Sequence, residues 1–393
     1  MRVALVHDAL VAYGGAEKVL EELHKLFPEA PVFAPIYNPG AFPSSFQSWD
    51  IRTTWMDRVP FARKGYRALF PIYPFAMQSI DLSAYDVVIS SSFSFAHHIH
   101  TTEDAVHLCY CHSPARFMWD YHRYANNEGF GWLKQMLIGA TIPIMKALDR
   151  SSAGNVDQWI STSNLITRRI HKSYGFDSVI IPPPVDLNEF HVGEGKGDYF
   201  LLLMRLVGWK RADIVVRAAT DLGLPLVVAG SGRELASLRK IAGPTVTFAG
   251  RVDGQAKADL YANCRAFILP SSEDFGITPL EAMASGRPVI AYRHGGVLDT
   301  VVEGVTGAFF DHQTPESVAD AMRNFDPSHY DSARIRDHAA NFDSSHFARK
   351  ILDLVVSCRA ERKKLVQFPL TLQNGVQANH HIRAVSGNVM DFR

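Results

Sequence analysis

The chain has 393 residues, 47% of them hydrophobic and 20% charged, a mix that belongs to ordinary globular proteins and excludes disorder as its organising principle. At about 150 residues per domain, two to three domains are expected. Forty Lys plus Arg balance forty Asp plus Glu, so there is no global basic field and no nucleic-acid partner is expected.

The chain opens on an apolar strand, Val3 to Val6, followed by a helix from Ala16 to Phe27 whose Val19, Leu20, Leu23 and Leu26 keep helical spacing. Asp8, Glu17 and Lys18 interrupt any export signal, so none is expected. Strands are predicted at Val32-Phe33, Val87 to Ile89, Val106 to Tyr110, Trp159 to Ser161 and Val179 to Ile181, with helices over Leu133 to Arg150 and Leu165 to Tyr174. Between them, Trp55 to Met77 interleaves Arg58, Arg63, Lys64 and Arg67 with Phe61, Tyr66, Phe70, Tyr73 and Phe75. That segment reads either as a basic-aromatic surface for anionic lipid or as irregular structure with snorkelling cations. The run Gln135 to Met145 is far short of the roughly 20 residues that span a bilayer. His97, His98 and His100 are expected on a loop near a cleft mouth. Cys109, Cys111, Cys264 and Cys358 are too few for a disulfide framework, which fits a reducing cytoplasm.

Pro182-Pro183-Pro184 breaks the pattern, and His191 to Asp198, with three glycines and four charges, has the composition of a linker; a boundary is expected near residue 193. The rhythm then restarts with strands at Tyr199 to Leu203, Leu226 to Ala229, Val246 to Phe248, Phe267 to Leu269 and Val289 to Ala291. Near-continuous apolar strands alternating with helices predict an α/β protein of two doubly wound, parallel-sheet, Rossmann-like domains facing across a cleft, with ligand at the strands' C-terminal ends. A helix over Phe342 to Cys358 closes the pattern, and residues 359–393 form a tail without an assigned role.

Four places carry candidate chemistry. Gly14-Gly15 precede the first helix, where free N–H groups and the helix dipole suit an anion; the competing reading is a turn that needs positive φ. Arg205 and Lys210 follow the strand Tyr199 to Leu203 and suit a diphosphate, against the reading of a solvated basic patch. In Pro270 to Gly286, Thr278 is expected as helix N-cap and Pro279 as the first helical residue, with Glu281 in the first turn and Glu273 in the preceding loop. Carboxylates suit sugar hydroxyls, and N–H groups from Phe275 to Thr278 suit phosphate, although Glu281 equally suits simple dipole compensation. His112 ends an apolar strand ahead of a Pro-containing loop, a position for a polar group entering a cleft. His107, Cys109, Cys111 and His112 have the atoms of a zinc site, but strand alternation points them to opposite faces, and no metal is expected.

Together, Glu273-x7-Glu281, Arg205 with Lys210, Gly14-Gly15 and Phe275-Gly276 resemble the retaining nucleotide-sugar glycosyltransferases of family 4, with the GT-B fold, over about residues 1 to 358. The resemblance is to bacterial mannosyltransferase-type members. It implies an acceptor-binding domain at 1–193, a nucleotide-sugar-binding domain at 194–341, and a helix at 342–358 returning to the first domain. It further implies that Glu273 contacts the donor sugar, Glu281 the ribose, and Arg205 with Lys210 the diphosphate, with Gly14, Gly15, Phe275, Gly276, Ile277 and Thr278 adding donor contacts and Arg251-Val252 lining the base pocket. His112 would lie near the donor sugar, and Arg116, Asp8 and Tyr13 would meet the acceptor. The implied reaction moves a hexose, mannose from GDP-mannose first, to a hydroxyl of a glycan or lipid-linked saccharide in surface polysaccharide or glycolipid synthesis, without metal or cofactor. A UDP-sugar transferase or epimerase of the same fold, or a non-catalytic sugar-nucleotide binder, are the alternatives. The expected location is the cytoplasm, at the inner membrane face, with peripheral contact through 55–77.

Overall fold

The structure, a computed structural model, describes residues 1–121, 124–125, 131–195 and 197–367. It divides into two compact units, residues Met1–Ile181 with Ala348–Arg393, and residues Pro182–Phe347.

The first unit is built on β1 (Val3–His7), β2 (Val32–Ala34), β3 (Ile51–Thr53), β4 (Val87–Ser92), β5 (Val106–Cys111), β6 (Gln158–Ser161) and β7 (Ser178–Ile180). All pair in parallel, in the order β3-β2-β1-β4-β5-β6-β7. The second carries β8 (Tyr199–Leu203), β9 (Leu226–Ala229), β10 (Val246–Gly250), β11 (Cys264–Leu269), β12 (Val289–Tyr292) and β13 (Gly307–Phe310), also parallel, in the order β10-β9-β8-β11-β12-β13. Each sheet therefore reverses its winding direction at an inner strand pair, β1/β4 and β8/β11. Such switch points are where doubly wound folds take ligands.

Continuous apolar runs make these strands because both faces are covered. In the second unit Phe200 and Leu202 enter one core cluster while Leu201 enters the other, and Ile268 and Phe267 divide in the same way. Each fully buried Leu or Phe of this kind stabilises the fold by about 1.5–3 kcal/mol. The edge strands β3 and β13 are absent from the sequence prediction: β3, Ile-Arg-Thr, is short and mostly uncovered and shows no apolar run, whereas β13 does carry the short run Ala308-Phe309-Phe310.

Helix limits follow local chemistry. Ser163 caps helix Asn164–Tyr174 by accepting from the Ile166 N–H, and Gly175 ends it at φ 83°. The chain passes between units at Ile181/Pro182, on the proline run, rather than near residue 193. The Gly-rich stretch read as a linker is packed into the second unit: Arg287 donates to the carbonyls of Gly195, Glu194 and Ala262. A Cβ on Gly197 would lie 2.3 Å from Cys264 backbone atoms, so glycine is what lets the chain pass. The closing helix runs Ser344–Gln367, longer than expected, and Arg359 and Arg362 tie it to Asp86, Asp104 and Asp157 of the first unit. The tail from 368 on lies outside the described residues. Among the described residues no helix is long and apolar enough to cross a membrane.

Candidate functional site

In the second unit, β8 ends beside β11, and the loops that leave them meet. After β8 a single helical turn, Gly208–Lys210, is followed by Arg211 in the left-handed region at φ 56°. A non-glycine residue there costs on the order of 1–2 kcal/mol, a strain characteristic of functional turns. It aims Lys210 at the loop after β11, where Lys210 Nζ lies 2.7 Å from Glu273 Oε1. Ser271 Oγ donates to the same carboxylate at 2.5 Å. The pair remains reachable from solvent, with side chains 17% and 14% exposed. Arg205 is exposed at the end of β8.

The Glu273 loop is fixed by glycines on the next loop. The Gly296 N–H donates to the Glu273 carbonyl at 2.9 Å, and a Cβ on Gly295, itself at φ 99°, would come within 2.5 Å of that oxygen. Ser272 hydrogen-bonds His294 Nδ1 at 2.7 Å.

The helix Ile277–Ala284 is capped by Gly276 at φ 92°, so it begins ahead of Thr278, which is not the cap that its side chain suggested. The left-handed glycine permits the earlier start. Glu281 consequently lies beyond the first turn, which removes dipole compensation as its role. It is only 4% exposed. Lys257 Nζ reaches its Oε1 at 3.0 Å, and the buried Tyr261 hydroxyl donates to Oε2 at 3.0 Å. Burial, with Glu281 beside it, raises the Tyr261 pKa well above the ordinary phenol value, so the hydroxyl keeps its proton. Phe275 is buried, Ile277 and Val252 are half-buried, and Arg251 is exposed. Lys257 and Tyr261, spaced i, i+4 on helix Gly254–Ala262, escaped sequence reading because their meaning depends on where Glu281 lies.

In the first unit the equivalent position is closed. Asp8, just past β1 and 1% exposed, accepts the backbone N–H groups of Phe93, Ser94 and Phe95 at 2.7, 2.9 and 2.7 Å. Burial raises its pKa, and the Phe95 and Phe93 amides oppose that rise. Its oxygens serve the loop after β4 and are turned away from solvent. Tyr13, expected with Asp8 at the acceptor, donates to Glu21 at 2.7 Å and packs on Phe42 and Phe46. Gly14 caps helix Gly15–Leu26 at φ −155°, extended backbone open to any residue, so positive φ is not why the glycine is there. Both glycines are exposed, Glu17 is buried in the first turn, and its carboxylate lies 3.6 Å from His7 Nε2.

His112, one residue past β5 and half-buried, hydrogen-bonds Ser91 Oγ through Nε2 at 2.9 Å. Burial, aided by His7, lowers its pKa to about 3, so it acts as a neutral imidazole. Arg116 is exposed on the turn Arg116–Trp119. His97 and His98 are not on an open loop: both are buried, and their Nε2 atoms lie 3.1 and 2.8 Å from Asp149 Oδ1. Trp119 and Tyr174 donate to Asp149 Oδ2 at 2.6 and 2.9 Å. His97, His98 and Asp149 have the donor types of a metal site, but this carboxylate is already satisfied by protein hydrogen bonds. His107 is held by Ser90 and by the Asn155 carbonyl, which breaks up the zinc set considered from sequence.

Comparison with known proteins gives two matching families. The one described as Glycosyltransferase Family 4 matches residues 13–189, and the one described as Glycosyl transferases group 1 matches residues 187–339. A GDP-mannose-dependent alpha-(1-6)-phosphatidylinositol monomannoside mannosyltransferase of Mycobacterium tuberculosis is 29% identical over 213 residues, 46% of this chain. The chain spans 55% of that relative's length. Among solved structures, Anabaena HepE in complex with UDP and glucose matches with a TM-score of 0.66 at 16% identity, over 91% of this chain and 100% of that one. Sucrose-phosphate synthase from Thermosynechococcus elongatus matches with a TM-score of 0.70 at 18% identity, over 92% and 100%.

Proposed function

We propose, from the premise that this chain is a GT-B fold glycosyltransferase joining a Glycosyltransferase Family 4 region to a Glycosyl transferases group 1 region, that it moves a hexose from a nucleoside-diphosphate sugar to a hydroxyl of a glycan or lipid-linked saccharide. The observation that carries this reading is the Lys210–Glu273 pair at the β8/β11 switch point, a cation for phosphate and an acceptor for sugar hydroxyls 2.7 Å apart.

In this reading the diphosphate displaces Glu273 from Lys210, with Arg205 as the second cation. The freed carboxylate takes sugar hydroxyls, held in place by Ser271. Glu281, oriented by Lys257 and Tyr261, accepts from the ribose, and the N–H groups at Ile277 and Thr278 add to the phosphate contacts. Arg251 and Val252 border the base. The bond from the anomeric carbon to the diphosphate oxygen breaks, the acceptor oxygen forms the new bond on the same face, and its proton leaves with the phosphate. Configuration is retained with no protein nucleophile. Fixed cations stabilise the charge that grows on the leaving group. In the first unit, neutral His112 and the exposed Arg116 are the residues we propose for the sugar and the acceptor.

UDP is the nucleotide that the related structures support better, since HepE was solved with UDP and glucose and matches this chain over nearly its whole length. GDP-mannose, the donor expected from sequence, is the second reading, favoured by the name of the M. tuberculosis relative. A thermal-shift comparison of UDP, GDP, ADP and NAD separates them, because a ligand at about 100 times its dissociation constant stabilises the fold by about 2.7 kcal/mol. Selective stabilisation by UDP is expected. Selective stabilisation by GDP reinstates the mannosyl donor, and no shift with any nucleotide overturns the site. Consumption of UDP-hexose without an acceptor would point to an epimerase.

A further inference from the structure

Trp209 directly precedes Lys210 in the sequence Gly208-Trp209-Lys210-Arg211. Neighbours in a chain do not ordinarily face one another, because successive side chains leave a helix about 100° apart and leave a strand on opposite faces. Here they do. The turn Gly208–Lys210, closed by Arg211 at φ 56°, folds the lysine stem back so that Nζ lies 5.0 Å from the centre of the Trp209 ring, within the range of a cation–π contact. The same Nζ is 2.7 Å from Glu273 Oε1. Lys210 is thus held by partners of two kinds, a carboxylate on another loop and an indole face on its own turn. The neighbouring cation is drawn elsewhere: Arg211 donates to the Asp213 carboxylate through Nε at 3.1 Å and Nη2 at 3.3 Å.

The two partners respond differently to an arriving phosphate. Glu273 has to be displaced, since two anions compete for one ammonium. The indole carries no net charge, so its face attracts the ammonium whichever anion stands opposite. Lys210 is 17% exposed and Trp209 is half-buried, so the ammonium is partly desolvated, the setting in which such a contact is strongest. A free lysine stem loses rotamer freedom when a ligand arrives, whereas one already laid on an indole has lost it beforehand.

We propose that Trp209 is a positioning residue of the donor site, its ring holding the Lys210 ammonium in place while the diphosphate of a nucleotide sugar replaces Glu273. Trp209 acts through Lys210 without touching the substrate. This rests on the transfer reading, in which Lys210 meets the diphosphate.

The test is calorimetric titration of the full chain with UDP and with GDP, the tighter-binding nucleotide serving as probe. Trp209→Leu keeps apolar bulk and removes the π face. Replacing Trp209 alone among the six tryptophans by mono-, di- and trifluorotryptophan keeps the shape and drains the negative face of the ring. Trp209→Leu is expected to weaken binding about fivefold and the fluorinated rings to weaken it stepwise, while in a Lys210→Ala background Trp209→Leu costs less than about twofold. A melting curve shows that each variant folds, and should Trp209→Leu not fold, the isosteric fluorinated series decides. Loss with leucine but none with fluorination makes Trp209 a packing residue and overturns the proposal. An equal loss with and without Lys210 gives the ring a contact of its own and also overturns it, as does wild-type affinity in every Trp209 variant. If Lys210→Ala itself leaves binding intact, or neither nucleotide binds, the diphosphate reading of Lys210 fails and the proposal falls with it.

Discussion

Both sheets reverse their winding at an inner strand pair, and both put a carboxylate there, but the two carboxylates are held in opposite ways. Asp8, beside β1/β4, is buried and spends its oxygens on three backbone amides. Glu273, beside β8/β11, is partly exposed and held by the mobile end of a lysine and a hydroxyl. Backbone donors cannot leave without unfolding the loop, whereas a lysine changes partners when a phosphate arrives. The same topological position is therefore locked in one unit and exchangeable in the other, which is why we propose the second for the donor chemistry.

The widest test of this difference is acid. His98 and His107 both lie buried in the first unit, and burial lowers their pKa values to about 4 and about 3. A folded-state pKa below the unfolded value of about 6.5 means that the unfolded chain binds the extra protons. Stability is complete above pH 6.5 and is lost as pH falls toward the folded values. Between pH 6.5 and 4.5 the two histidines together remove up to about 5 kcal/mol. Hydrogen exchange read by mass spectrometry from pH 7 to 4.5 should show β4 and β5 losing protection before β8 and β11. Loss in the opposite order breaks the contrast.

The next effect falls on Asp8 itself. Asp8→Ala leaves three amides of the 93–95 loop without acceptors, at a cost of about 3 kcal/mol in stability. Chemical denaturation measures it, and a variant as stable as wild type would free Asp8 for the acceptor role first expected of it. Lys210→Ala and Glu273→Ala are expected to behave in the reverse manner, lowering kcat/KM for transfer by about tenfold or more, about 1.4 kcal/mol, with the melting temperature held. Near-normal turnover in both removes the site from the β8/β11 switch point.

Much of this was legible in the sequence, and the parts that were not share a cause. Apolar runs announced the inner strands because both of their faces are buried, while β3, Ile-Arg-Thr on an edge, gave no such signal and the run Ala308 to Phe310 of β13 was too short to stand out. That Glu273, Lys210 and Arg205 lie in the loops after β11 and β8 was legible because each follows an apolar strand. The burial of Asp8, His97 and His98 was not legible, because polar residues near strand ends look alike whether they face a ligand or a buried carboxylate or amide. Only the partner decides, and for His98 that partner is Asp149, 51 residues away in sequence. The Gly-rich stretch after residue 191 was misread for a related reason: glycine marks close packing against Ala262 and Cys264 as readily as it marks freedom.

The smallest expected effect bears on how far exchangeability extends within the second unit. Glu281 stands between the two extremes, buried like Asp8 but held by side chains like Glu273. Tyr261→Phe removes one neutral hydrogen bond to a carboxylate that keeps Lys257, so the loss in stability is about 1 kcal/mol or less. If Glu281 is a ribose acceptor that Tyr261 only orients, the variant raises KM for the donor about threefold and leaves kcat unchanged, since ribose binding is the same in ground and transition states. A change in kcat alone would place Glu281 in the chemical step. A change in stability with neither kinetic constant altered would make it the Asp8 of the second unit, a carboxylate that holds the fold and never meets the substrate.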